Sequence, residues 1–120
     1  MKPYKFILIP SLVFCFKFSA FAQQVSCSEL YEYVLDNYDH KKNASILQSS
    51  MLVKVSYYEI DDSGVVVAHI KQNDWDLTGK PYIFCGISRL RWNSFTNAGI
   101  FGSWGEAFHD YIMDYTCDCN

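Results

Sequence analysis

The chain has 120 residues, 50% hydrophobic and 18% aromatic, with 10 Lys+Arg against 13 Asp+Glu and a net charge of −3. That apolar and aromatic content excludes a disordered chain. The acidic balance weighs against a polyanion binder, whose affinity for phosphates is built from clustered Lys and Arg.

Lys2 and Lys5 precede an apolar stretch from Phe6 to Phe16, broken by Pro10 and Ser11, and Ala20-Phe21-Ala22 forms a small-x-small cleavage site. Residues 1–22 are therefore expected to be a cleavable signal peptide, with Gln23 as the new N-terminus. The apolar run is shorter than the roughly 20 residues that span a hydrocarbon core, and no later stretch is apolar enough to do so. The expected location is the periplasm or the extracellular space. Cleavage would remove Lys2, Lys5 and Lys17, leaving seven basic against thirteen acidic residues, a net charge of −6.

Four cysteines remain in the mature chain: Cys27, Cys85, Cys117 and Cys119. An even number in an exported domain reads as two disulfides. The expected arrangement bridges Cys27 to one member of the Cys117/Cys119 pair and Cys85 to the other. A four-thiolate zinc site fits less well, because structural zinc takes two close cysteine pairs and this chain has one.

Ser26 and Glu29 form a capping box, and Leu30, Tyr31, Val34, Leu35 and Tyr38 mark one stripe of a helix ending near Asp39. The polar run His40-Lys41-Lys42-Asn43 reads as a linker, so residues 23–48 are taken as N-terminal helix plus linker. Met51 to Ile60 is rich in β-branched and aromatic residues, Asp61-Asp62-Ser63-Gly64 signals a turn, and Val65 to Lys71 returns as a second strand. Gly79-Lys80-Pro81 introduces a third strand, Tyr82 to Ile87, whose two apolar faces place it inside the sheet. Ser88 caps a helix carrying Leu90, Trp92, Phe95 and Ala98, which Gly99 to Gly102 is expected to break. Ser103 and Glu106 open a last helix with Phe108, Tyr111, Ile112 and Tyr115 on its buried face. The expected fold is α+β: an N-terminal helix, a three-stranded antiparallel sheet and two C-terminal helices packed on it.

Ser49-Ser50-x-Leu52-x-x-Val55-x-Tyr57, then Gly79-x-x-Tyr82-x-Phe84-x-Gly86-Ile87, then Trp92, Phe95 and Ala98, and finally Ser103-x-Gly105-x-x-Phe108-x-x-x-Ile112 follow one another in the chain. This series resembles the KTSC domain, a small module named for the C-terminus of some lysyl-tRNA synthetases and also found alone in bacterial proteins. Tyr82-Ile83-Phe84 stands where that family carries Y-x-Y, and Ser88 where it carries a proline. The resemblance covers about residues 49–112, which sets a KTSC-like domain at 49–113 and a cysteine-containing tail at 114–120. It implies RNA binding as one function, proposed for the synthetase-attached form, and it carries over no catalytic residue.

Several residues stand out as candidates for function. Trp75, flanked by Asp74 and Asp76, suits an exposed recognition loop, although folding back over the sheet is the reading preferred from sequence. Tyr82 and Phe84 share a strand face, as in platforms that stack single-stranded nucleic acid; packing against the C-terminal helices is the competing reading and is favoured by the acidic charge. Arg89 and Arg91 beside Trp92 form the compact basic cluster. Glu106 and His109 have helical i, i+3 spacing but lack the second such pair that a di-metal site needs. Cys85 with His69 would suit a nucleophile and base, against which stands the expected disulfide.

Together these residues point to a non-catalytic binding or accessory module acting through contacts with another protein, needing no metal or cofactor. A nucleic-acid binder is the alternative, and a small thiol enzyme or hydrolase a third reading.

Overall fold

The computed structural model describes residues 25–44, 46 and 48–119. The expected signal peptide, its cleavage site and Gln23 lie outside the described residues. The chain divides into two compact units, one holding 25–30 with Asp118 and Cys119, the other Tyr31–Cys117.

In the first unit the expected capping box is formed. The Glu29 amide donates to Ser26 Oγ (3.1 Å) and the Ser26 amide donates back to Glu29 Oε1 (3.2 Å), satisfying two amides that a helix start leaves without partners. Cys27 is bridged to Cys119 across 92 residues. Helix α1 is Cys27–Asn37.

The second unit is built on a four-stranded antiparallel sheet in the order β1 (His40–Ala44), β2 (Leu52–Ile60), β3 (Ser63–Ile70) and β4 (Lys80–Cys85). The α+β class and the β2–β3 hairpin agree with the sequence reading; the strand count does not. The run read as a linker is β1, paired with β2 from His40↔Glu59 to Ala44↔Val55. Polar side chains hid it, because only Ala44 is buried. Its place in the sheet comes from backbone pairing, from Ser56 Oγ–H donating to Asn43 Oδ1 (2.7 Å) and from the Lys41 ammonium 5.3 Å above the Tyr58 ring. Charged residues are what a solvent-facing edge strand tolerates.

The β2–β3 turn places Asp61 (φ 50°) and Asp62 (φ 64°) in the left-handed region. That is the geometry of a two-residue hairpin matched to strand twist, and aspartate adopts it more readily than most side chains. β4 ends the strand order rather than lying inside the sheet. At its C-terminal end its outer edge is instead met by the C-terminal tail: Phe84 bridges Thr116, the Cys85 amide donates to Tyr115 O (2.7 Å), and Cys85 is bonded to Cys117. Both disulfides match the expected arrangement.

On one face of the sheet, Val55, Tyr57, Val66, Ala68 and Phe84 pack with Trp92, Phe95, Phe108 and Ile112 from helices α2 (Arg89–Phe101) and α3 (Trp104–Tyr111). Phe95 and Phe108 are fully buried, each contributing roughly 1.5–3 kcal/mol. On the other face, Tyr38 lies 5.3 Å from Tyr58, Tyr33 Oη–H donates to Asp61 Oδ2 (3.3 Å), and Val34 of α1 is buried.

Ser88 Oγ accepts the Arg91 amide (3.0 Å) and Ser103 Oγ the Glu106 amide (3.3 Å), as the sequence suggested. The expected break at Gly99 is absent: α2 runs through it to Phe101, with Gly102 as its cap. Gly99 is buried, and a Cβ there would overlap the Trp104 ring. It is glycine for close approach of α3, not to end α2.

Candidate functional site

The β3–β4 connection is long, polar and tightly held. Lys71 continues the sheet for one step, its amide donating to Met51 O (2.8 Å) and its ammonium to Ser49 O (2.9 Å). Asn73 Oδ1 then accepts the Trp75 amide (2.9 Å) and Asn73 O the Asp76 amide (3.2 Å). Asp76 is the hub. Its carboxylate accepts the amides of Gln72 (3.0 Å), Thr78 (3.1 Å) and Gly79 (2.9 Å), together with the Thr78 hydroxyl (3.3 Å). These donors favour the charged form, led by the Gly79 amide, and hold the carboxyl below its ordinary range. Gly79 itself has φ 76° and lies against His69, where a Cβ would meet the His69 backbone carbonyl carbon at 2.8 Å.

This rigid frame turns two large apolar side chains outward. Trp75 is 88% exposed and Leu77 86%. Trp75 therefore does not fold back over the sheet, contrary to the reading preferred from sequence. The loop's hydrogen-bonding capacity is spent on its own backbone, which fixes the tip away from the domain. Beside it is a shallow cleft of about 260 Å³ lined by Ile46, Ser49, Leu52, Lys71, Asp76 and Leu77, among others. A tryptophan carried on a backbone held in this way, next to a concavity, suits recognition of a surface, because the loop itself need not be ordered on contact. Leu77 and the cleft were missed in the sequence, although the pattern Asp76-x-Thr78-Gly79 is a recognisable side-chain-capped turn.

The remaining candidates divide. Tyr82 is 37% exposed, with the Lys80 ammonium 5.5 Å from its ring centroid, whereas Phe84 is 7% exposed and meets Phe108 edge-on at 5.3 Å. They share a face, as expected, but only Tyr82 reaches solvent. Trp92 is buried and stacked on Tyr57 at 5.4 Å. Arg89 forms a two-pronged ion pair with Glu59, Nη2 to Oε1 at 2.6 Å and Nε to Oε2 at 2.8 Å, and Tyr57 Oη–H donates to the same carboxylate (3.0 Å). The Arg89 hydrogen bonds hold the Glu59 carboxyl down to about 2, while burial pushes the Tyr57 phenol up to about 12. Arg91 donates to Tyr111 O (3.1 Å) and lies 4.5 Å above the Tyr115 ring. The basic cluster read from sequence thus braces the fold.

Glu106 and His109 are exposed on α3, and His109 sits 4.0 Å from Asp110. Cys85 is held in its disulfide and offers no thiolate. His69 Nδ1 is buried without a hydrogen-bond partner, and burial lowers its pKa. Among the described residues, no three His, Cys, Asp or Glu side chains gather at metal-binding distance, and no helix is long and apolar enough to cross a membrane. Leu90, Ile100 and Phe101 on α2 are a second set of exposed apolar side chains.

Comparison of the chain with protein-family models, curated proteins and solved structures finds no match.

Proposed function

We propose that this chain is an exported, disulfide-stabilised binding module, periplasmic or secreted, which acts without catalysis by presenting the Trp75–Leu77 loop to another protein. The observation that carries this reading is the near-complete exposure of Trp75 and Leu77 on a loop fixed by Asp76. At an interface tryptophan is among the side chains that contribute most. Two disulfides suit an oxidising compartment. On this reading residues 49–113 are a KTSC-like domain, stabilised outside the cytoplasm by additions at both ends.

The nucleic-acid alternative has less to draw on. Phe84 and Trp92 are committed to the core, Arg89 and Arg91 to internal contacts, and the expected mature charge is −6. The thiol-enzyme reading would need Cys85 released from its disulfide.

The test is size fractionation of the native exported protein from its own host, compared with a Trp75→Ala/Leu77→Ala variant. The reading expects the wild type to travel in a defined complex and the variant as a free monomer. If both run as monomers, or the variant keeps the complex, the loop is not the contact.

A further inference from the structure

We propose that the open edge of β1 is a docking strip for an extended acidic segment of another protein, which adds to the sheet as a fifth antiparallel strand. β1 ends the strand order, and among the described residues nothing pairs with its outer side. The opposite edge is treated differently, since the end of β4 is covered by Tyr115, Thr116 and Cys117. The β4 edge is thus capped at its C-terminal end, whereas β1 has no such cap among the described residues.

The residues of β1 are not dictated by the core, because four of its five are exposed. Yet it carries His40, Lys41 and Lys42 in succession. Apart from Lys41 and Lys42, the expected mature chain holds five basic against thirteen acidic residues. The strip is thus a local positive feature on an acidic protein, and neither lysine is in an ion pair among the described residues. Lys41 lies across from Tyr58 and Lys42 across from Tyr57, so the two ammonium groups stand on opposite faces of the sheet. An added strand satisfies both with two adjacent carboxylates, one per face.

The same charges reject a second copy. Two β1 strands paired about a two-fold axis at Lys41, at Lys42 or between them would set lysine against lysine, and like charges directly opposite are destabilising. Edge lysines guard against self-association; here they also select the charge of the strand that is accepted. Backbone hydrogen bonds would provide affinity and the paired carboxylates specificity.

The probe is the blocked peptide acetyl-Thr-Val-Glu-Glu-Val-Thr-amide, added to the oxidised, isotope-labelled mature protein and followed by amide NMR shifts. Shifts should be confined to residues 40–44 and their β2 partners and should weaken as salt is raised. Affinity should exceed that for the peptide with both Glu replaced by Lys by about tenfold or more. Lys41→Glu/Lys42→Glu should reverse the preference, and Trp75→Ala/Leu77→Ala should leave it intact, so this inference and the loop reading fail separately. No binding at millimolar peptide, equal binding of both peptides, shifts centred on the Trp75 loop, or loss of binding in the loop variant would each overturn the proposal.

Discussion

Replacing Gly99 by alanine sets helix propensity against packing. In an ordinary exposed helix interior, Gly→Ala stabilises by about 1 kcal/mol. At Gly99 the new methyl would fall inside contact distance of Cδ2, Cε3 and Cζ3 of Trp104. That ring cannot easily retreat, because Trp104 opens α3 behind the Ser103 cap and meets Phe95 edge-on at 5.4 Å. Overpacking a core contact costs roughly 1–3 kcal/mol. With a rigid ring as the obstacle the upper part of that range applies, so Gly99→Ala should destabilise by about 1–2 kcal/mol net. Urea unfolding of the oxidised protein should show a lower midpoint at unchanged slope. In a Trp104→Ala background the obstacle is gone, and the same substitution should stabilise by about 0.5–1 kcal/mol. A Gly99→Ala variant that gains stability while Trp104 is intact would refute this account of the α2–α3 contact.

Other consequences can be checked directly. Arg89→Ala should let the Glu59 carboxyl rise from about 2 toward its ordinary range, followed by side-chain carboxyl NMR. Because the folded value is depressed, the stability Glu59 contributes is present above the ordinary carboxylate range and is lost as pH falls toward 2. Tyr57 has the opposite sense: its contribution is complete below its ordinary value of 10.0 and is lost as pH rises through about 12, visible as a delayed phenolate absorbance. Asp76→Asn keeps the side-chain shape but removes the charge that accepts three amides, so hydrogen exchange at Gln72, Thr78 and Gly79 should accelerate while core amides stay protected. Peptide mapping without reduction should return Cys27 linked to Cys119 and Cys85 linked to Cys117.

Much of the fold was legible because it is written in short-range chemistry. Ser26 with Glu29, Ser88, and Ser103 with Glu106 announce helix starts through side chains that bond nearby amides. The hairpin around Asp61-Asp62 was legible for the same reason. β1 was not, since His40-Lys41-Lys42-Asn43 has neither alternation nor β-branched residues and gains its place from a neighbouring strand. Gly99 misled because glycine has two uses, and only the position of Trp104 tells them apart. β4 misled because apolar residues on both faces read as an inner strand, whereas its neighbour at Phe84 and Cys85 is the chain segment Tyr115–Cys117, paired over those two residues alone. At the candidate site Trp75 was visible, but its exposure depends on where the Asp76 carboxylate spends its hydrogen bonds. The arginines beside Trp92 looked like a basic patch because their partners, Glu59, Tyr111 and Tyr115, lie about 20 to 30 residues away or at the chain's end.

On the proposed function, the Trp75 loop is the protein's contact surface. The most direct test of that reading places a photoreactive benzophenone side chain at position 75 of the exported protein in its own host, with a control at exposed position 109. A discrete adduct with one protein at position 75, absent at 109 and suppressed by excess unlabelled wild type but not by Trp75→Ala/Leu77→Ala, is the predicted result. Equal labelling at both positions, or no adduct at position 75, would contradict it.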